Sequence, residues 1–215
     1  MKIGVFDSGI GGKAVADTLQ LDYPSAQIIY VDDRAHVPYG SRSQDDIVSL
    51  TDQAIQPLLQ QACDVIVLAC NTATAAAIEI LRLRYPGIPF IGLEPMVRPA
   101  MSMTTSGVVA ICATPFTIKS ERYVNLKHEY ASTVTVLEPD CSEWATMIEN
   151  DKTDVQEIAD AINEVCDAGA DVIVLACTHF HWIEDLIVAI AGDRAIVINP
   201  ADAISKRVKT LIYAK

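Results

Sequence analysis

One heptapeptide occurs twice in this chain. Asp64-Val65-Ile66-Val67-Leu68-Ala69-Cys70 returns 107 residues later as Asp171-Val172-Ile173-Val174-Leu175-Ala176-Cys177. Each copy is a β-branched apolar run that ends on a cysteine, followed by Asn71-Thr72 in the first and by Thr178-His179 in the second. Such runs read as strands buried on both faces, the pattern of parallel sheets. The spacing is too long for a solenoid period and suits two α/β lobes of about one hundred residues each. The repeat therefore predicts two equivalent strand ends, each carrying a thiol, in lobes that face each other across a cleft.

The rest of the pattern alternates strands with helices. Strands are expected at 2–6, 27–31, 64–69, 89–92, 107–112, 134–137, 171–176 and 195–198. Helices are expected at 13–20, 44–61 as one long amphipathic element, 73–84, 117–129, 154–168 and 201–214. Alternation of this kind gives βα units on a mainly parallel sheet. The fold class predicted is α/β, two pseudo-symmetric flavodoxin-like lobes with the active site in the cleft between them. The Pro-, Met- and Thr-containing stretch 95–105 marks the junction. Residues 1–95 with 195–215 then form lobe 1 and 96–194 form lobe 2, the last strand and helix crossing back to the first lobe. With 215 residues, 51% of them hydrophobic, either lobe can bury a core.

A net charge of -12 argues against nucleic acid or an anionic membrane as partner, since phosphates are bound by clustered Lys and Arg. The N-terminus lacks the apolar core of a signal peptide, and no apolar run is long enough to span a bilayer, so a cytoplasmic protein is expected. The cysteines at 63, 70, 112, 141, 166 and 177 then read as free thiols. No metal site is expected, because neither CxxC nor HxxxH spacing occurs. Cys63, Cys112, Cys141 and Cys166 read as small core residues, and His36, His128 and His181 as surface or structural ones.

Applying the offset of the repeat to the N-terminal strand places Asp7 on Thr114. In sheets of this type ligands collect at the carboxyl ends of strands, where Asp7, Cys70, Thr114 and Cys177 all fall. A competing reading is a dinucleotide-binding module: Gly9-Ile10-Gly11-Gly12-Lys13-Ala14 fits G-x-G-x-x-A after a strand, with Asp32 ending the next one. It leaves both cysteines unexplained and puts the Asp7 carboxylate beside the pyrophosphate position.

Four segments together resemble glutamate racemases of the cofactor-independent aspartate and glutamate racemase superfamily. They are Val5-Phe6-Asp7-Ser8-Gly9-Ile10-Gly11-Gly12, Val37-Pro38-Tyr39-Gly40-Ser41, Ala69-Cys70-Asn71-Thr72-Ala73 and Ala176-Cys177-Thr178-His179. The resemblance implies racemisation of L- and D-glutamate with no cofactor, by two thiols. Removing an α-proton from one face and returning one to the other needs two acid/base groups. By resemblance these are Cys70 and Cys177, assisted by Asp7 and His179 respectively, with Glu149 as a further assistant. The same likeness carries substrate binding to Asp7, Ser8, Pro38, Tyr39, Gly40, Ser41, Asn71, Thr72, Thr178 and His179, with Thr114 added. Their hydroxyl, amide and backbone N–H groups suit a carboxylate, and Asp7 suits an ammonium.

The resemblance further implies a homodimer acting on a small acidic amino acid, and peptidoglycan precursor supply in a bacterial host. Aspartate, hydantoin and maleate chemistry, and a non-catalytic amino-acid-binding relative, are the alternatives. The chain is shorter than the usual glutamate racemase, and it has Arg34, His181 and Asn199 where the family commonly has a small polar residue, proline and aspartate.

Overall fold

A computed structural model describes residues 1–213, and the chain divides into two compact units, Met1–Leu93 with the segment from Pro200, and Glu94–Asn199.

The first unit is built on four parallel strands, β1 (Lys2–Asp7), β2 (Gln27–Asp32), β3 (Val65–Leu68) and β4 (Phe90–Gly92), in the order β2-β1-β3-β4. The chain runs outward from β1 to β2 and then resumes on the other side with β3. The switch point of the sheet therefore lies at the carboxyl ends of β1 and β3, where Asp7 and Cys70 stand. Alternate residues of the central strands face opposite ways. Ile3, Val5, Val65 and Val67 pack with Val15, Leu19, Ile204 and Val208, which belong to α1 (Gly12–Asp22) and α11 (Ala201–Tyr213). The remaining helices are α2 (Gln44–Ala54), α3 (Gln56–Gln60) and α4 (Asn71–Arg84).

The expected single helix at 44–61 is broken at Ile55 because Pro57 has no N–H to donate to Gln53 and its ring crowds that carbonyl. The expected helix 201–214 is present to Tyr213, Ala214 lying outside the described residues.

The second unit repeats the plan with β5 (Val108–Ala113), β6 (Thr135–Leu137), β7 (Val172–Ala176) and β8 (Ile196–Ile198), all parallel, in the order β6-β5-β7-β8. Its helices are α5 (Val97–Met103), α6 (Pro115–Lys119), α7 (Glu121–Tyr130), α8 (Trp144–Glu149), α9 (Val155–Asp167) and α10 (Glu184–Ala191). Two expectations change here. The strand expected to return to the first lobe pairs instead with β7, Val172 opposite Ile196, because α10 makes it the end of a local βαβ crossover. The predicted helix 117–129 divides at Ser120, whose hydroxyl caps α7 by accepting from Tyr123 N–H.

The strand registers also correct the internal alignment. Leu68 is opposite Phe6, whereas its counterpart Leu175 is opposite Cys112. The second unit thus carries one extra residue between its first and third strands. Thr114 is the equivalent of Ser8, and Ala113 that of Asp7.

Candidate active site

In the first unit β1 passes at Asp7 into a glycine turn that opens α1. Asp7 is fully buried, and its Oδ2 accepts from the N–H groups of Gly9 and Gly12, each at 3.0 Å. An anionic side chain is thereby held at a helix N-terminus, where the peptide dipoles favour it. The turn requires glycine at position 12, since a Cβ there would lie 2.3 Å from Asp7 Cβ. These amides are the ones a dinucleotide pyrophosphate would need, and Asp7 occupies them. The nucleotide-binding reading of this glycine motif fails on that geometry.

Register places Ser8 next to Cys70, and the Ser8 hydroxyl is 3.2 Å from the Cys70 sulfur. Cys70 has extended backbone and caps α4, its sulfur accepting from Ala73 N–H at 3.4 Å. A thiol that ends a strand and begins a helix has donors and a positive dipole end to stabilise its thiolate. Asn71 follows in the first turn of α4. Its side chain is buried, yet neither amide atom has a hydrogen-bond partner. A buried amide in that state costs free energy unless a ligand meets it. Thr72 is buried beside it.

The third segment lies in a short 3-10 turn, Tyr39–Ser41, preceded by a cis Val37–Pro38 bond. Tyr39 is buried and close enough to Cys70 for a thiolate there to raise its pKa, whereas Pro38 and Gly40 are partly exposed and Ser41 is exposed.

In the second unit Cys177 ends β7 and leads into the 3-10 segment Thr178–Ile183. Its sulfur is 3.7 Å from His179 Nδ1, and His179 Nε2 is 2.6 Å from Glu149 Oε1. A carboxylate only accepts, so Nε2 carries the proton and Nδ1 presents its lone pair to the thiol. The chain Glu149–His179–Cys177 is the arrangement of a base-activated nucleophile or proton donor. Cys177, Thr178 and His179 are all buried. Thr114 caps α6, accepting from Thr117 N–H, and its register places it beside Cys177.

Glu149 reaches this site from the C-terminal residue of α8, a helix the acidic sequence around it concealed. Cys141 is buried and its thiol hydrogen-bonds with that of Cys112; this hydrogen bond, with burial, raises its pKa far above the ordinary thiol value. All six cysteines are free. Among the described residues no group of three His, Cys, Asp or Glu side chains is disposed to hold a metal, and no helix is long and apolar enough to cross a membrane.

The sequence profile of Asp/Glu/Hydantoin racemases matches residues 13–207. The chain belongs to this racemase family. It is 38% identical to the glutamate racemase of Roseiflexus sp. over 99% of its own length and 80% of the relative's. Among solved structures it is similar to glutamate racemase isoform RacE1 from Bacillus anthracis, with a TM-score of 0.86 and 30% identity over 99% of this chain and 81% of that one. The Francisella tularensis glutamate racemase in complex with D-glutamate has a TM-score of 0.84 and 29% identity over the same shares of the two chains, 99% and 81%.

Proposed function

We propose that the protein is a glutamate racemase in which Cys70 and Cys177 are the two acid/base groups. The observation that carries the reading is the doubled strand-end thiol, each copy with its own means of moving a proton. Cys70 has the Ser8 hydroxyl, the Ala73 N–H and the α4 N-terminus; Cys177 has the His179–Glu149 pair. One thiolate removes the α-proton and the other thiol delivers a proton to the opposite face. The roles exchange for the other enantiomer. The carbanion-like transition state is met by preorganised donors rather than by mobile water.

Asp7 assists Cys70 and receives the ammonium, while Asn71, Thr72, Thr178, Thr114 and Ser8 receive carboxylate oxygens. The turn Pro38–Ser41 is assigned to substrate binding with them. Sequence relatives and solved structures bearing the name glutamate racemase favour glutamate over aspartate. A homodimer, a cytoplasmic location and supply of D-glutamate to peptidoglycan in a bacterial host complete the proposal.

The test is proton NMR of L-glutamate, and separately L-aspartate, with the purified protein in deuterated water and no added cofactor. Expected is loss of the glutamate α-proton with growth of D-glutamate, deuterium entering the product before the recovered substrate because different thiols abstract and deliver. No exchange of glutamate by folded, reduced protein overturns the proposal.

A further inference from the structure

Tyr39 is the buried residue of the turn at 37–41, with its ring centroid 6.5 Å from that of Phe6 on β1. Its hydroxyl donates to Asp33 Oδ2 at 2.7 Å. The other oxygen of the same carboxylate lies 2.7 Å from His36 Nδ1, and the Asp33 side chain is 13% exposed. Asp33 is tied to the site a second way, since its backbone N–H donates to the Asp7 carbonyl at 3.2 Å. Arg42 closes the turn from the far side, its backbone N–H donating to the Tyr39 carbonyl and its Nε to the His36 carbonyl.

A phenol has one proton, and here Asp33 holds it. Burial, the hydrogen bond to Asp33 and the charges of Asp33 and Cys70 all push the Tyr39 pKa far above its ordinary value, so the ring stays neutral. Tyr39 can therefore offer an acidic amino acid an acceptor oxygen and an apolar wall, but no hydrogen bond from its hydroxyl. Donation to the substrate falls to other groups, the unpartnered Asn71 amide among them.

The geometry points to Asp33 as a positioning residue for substrate binding: oriented by His36, its carboxylate holds Tyr39, and with it the Pro38–Tyr39–Gly40 turn, against the strand end that carries Asp7. This rests on the racemase reading above. Asp33 acts through the Tyr39 hydroxyl, so its effect must vanish where that hydroxyl is absent.

The experiment is steady-state racemisation of D- and L-glutamate by the wild-type protein, Asp33→Ala, Asp33→Asn, Tyr39→Phe and the double variants, with thermal melts of each. Asp33→Ala is expected to raise KM about tenfold, the weight of one hydrogen bond to a charged acceptor, with a smaller fall in kcat. Asp33→Asn, whose amide oxygen can still accept the phenol proton, restores part of that loss. In the Tyr39→Phe background the further change in KM is within about twofold, the ordinary limit of non-interaction. A role confined to fold stability moves the melting temperature and leaves KM at the wild-type value. An unchanged KM in Asp33→Ala, or a tenfold change that persists beside Tyr39→Phe, overturns the inference. If Asp33→Ala does not fold, the Asp33→Asn and Tyr39→Phe cycle decides: a rise in KM smaller than tenfold that disappears beside Tyr39→Phe supports the inference, and an unchanged KM, or a rise that persists there, overturns it. A wild-type protein that exchanges nothing overturns the racemase reading itself, a result distinct from an active wild type with indifferent variants.

Discussion

His179 Nε2 stands 2.6 Å from Glu149 Oε1, and the opposite ring nitrogen faces the Cys177 sulfur at 3.7 Å. The carboxylate fixes which nitrogen is bare and therefore which one can take the thiol proton. Both partners are largely shielded from water, with side chains 5% and 14% exposed. Glu149→Gln removes the charge that supports an imidazolium at His179. We expect kcat/KM to fall roughly 100-fold, within the usual weight of a positioned acid/base group. Because the two enantiomers have equal free energy, the fall must be the same in both directions. Racemisation rates from L- and from D-glutamate, followed by circular dichroism, measure it, and a variant with wild-type rates removes Glu149 from the proton path.

Gly12 is a second point where chemistry and fold meet. A methyl group at this position would lie 2.3 Å from Asp7 Cβ and 3.0 Å from its Cγ. Gly12→Ala must therefore push α1 from β1 or the Asp7 carboxylate from its two N–H donors. The expected cost is about 1–3 kcal/mol in urea unfolding, with loss of activity in the protein that remains folded. Gly87→Ala is the control. A Cβ there has nothing within 4 Å, and its effect is expected to stay within about 0.5 kcal/mol.

The strand ends were legible because a buried parallel strand writes itself as a short apolar run, and the doubling of Asp64–Cys70 at Asp171–Cys177 announces the repeated sheet. What the residues alone could not show was partner choice. The run Ala195–Ile198 reads alike for either sheet, and only the crossover helix α10 assigns it to the second. A single inserted residue likewise moved the counterpart of Asp7 from Thr114 to Ala113, a change invisible until the registers were known. Asp33 carried no signal of its own in an acidic pair, because its role depends on a tyrosine six residues later in a non-helical turn. His36 read as a surface residue, and it is exposed, yet it shares the Asp33 carboxylate.

Asn71 leads to a prediction in which stability and function part. Both polar atoms of its buried side chain lack partners, so the unliganded protein bears a desolvation cost that substrate would relieve. Asn71→Leu replaces them with apolar atoms of similar shape at a helix position that tolerates leucine. The expected result is a protein more stable by about 1 kcal/mol, a rise of roughly 2–4 °C in melting temperature, that binds glutamate poorly. Thermal melts and saturation kinetics on the same sample check both halves. A destabilised variant with normal KM would mean that the amide serves the fold and not the substrate.

Asp171 begins the second copy of the repeat, and its duty is structural. Its carboxylate accepts from Thr104 Oγ1 at 2.5 Å, Thr105 N–H at 2.6 Å, Thr105 Oγ1 at 2.8 Å and Ser106 N–H at 2.7 Å, pinning the segment between α5 and β5. Burial works against its ionisation, but the bonds from Thr104, Ser106 and Thr105 outweigh burial and hold the carboxyl well below the usual carboxylate range. A folded-state pKa below the unfolded one contributes stability at all pH values above the unfolded pKa of about 3.9. That contribution is lost as pH falls from there toward the folded value, where the native state at last takes up the proton. Asp171→Asn should therefore lower stability at pH 7 by about 1–2 kcal/mol, through the loss of charged acceptors. The gap between variant and wild type should narrow as the pH is taken below about 4. Urea unfolding of both proteins from pH 7 to pH 3 measures this, and a gap that widens on acidification would show that Asp171 is not held ionised by this loop.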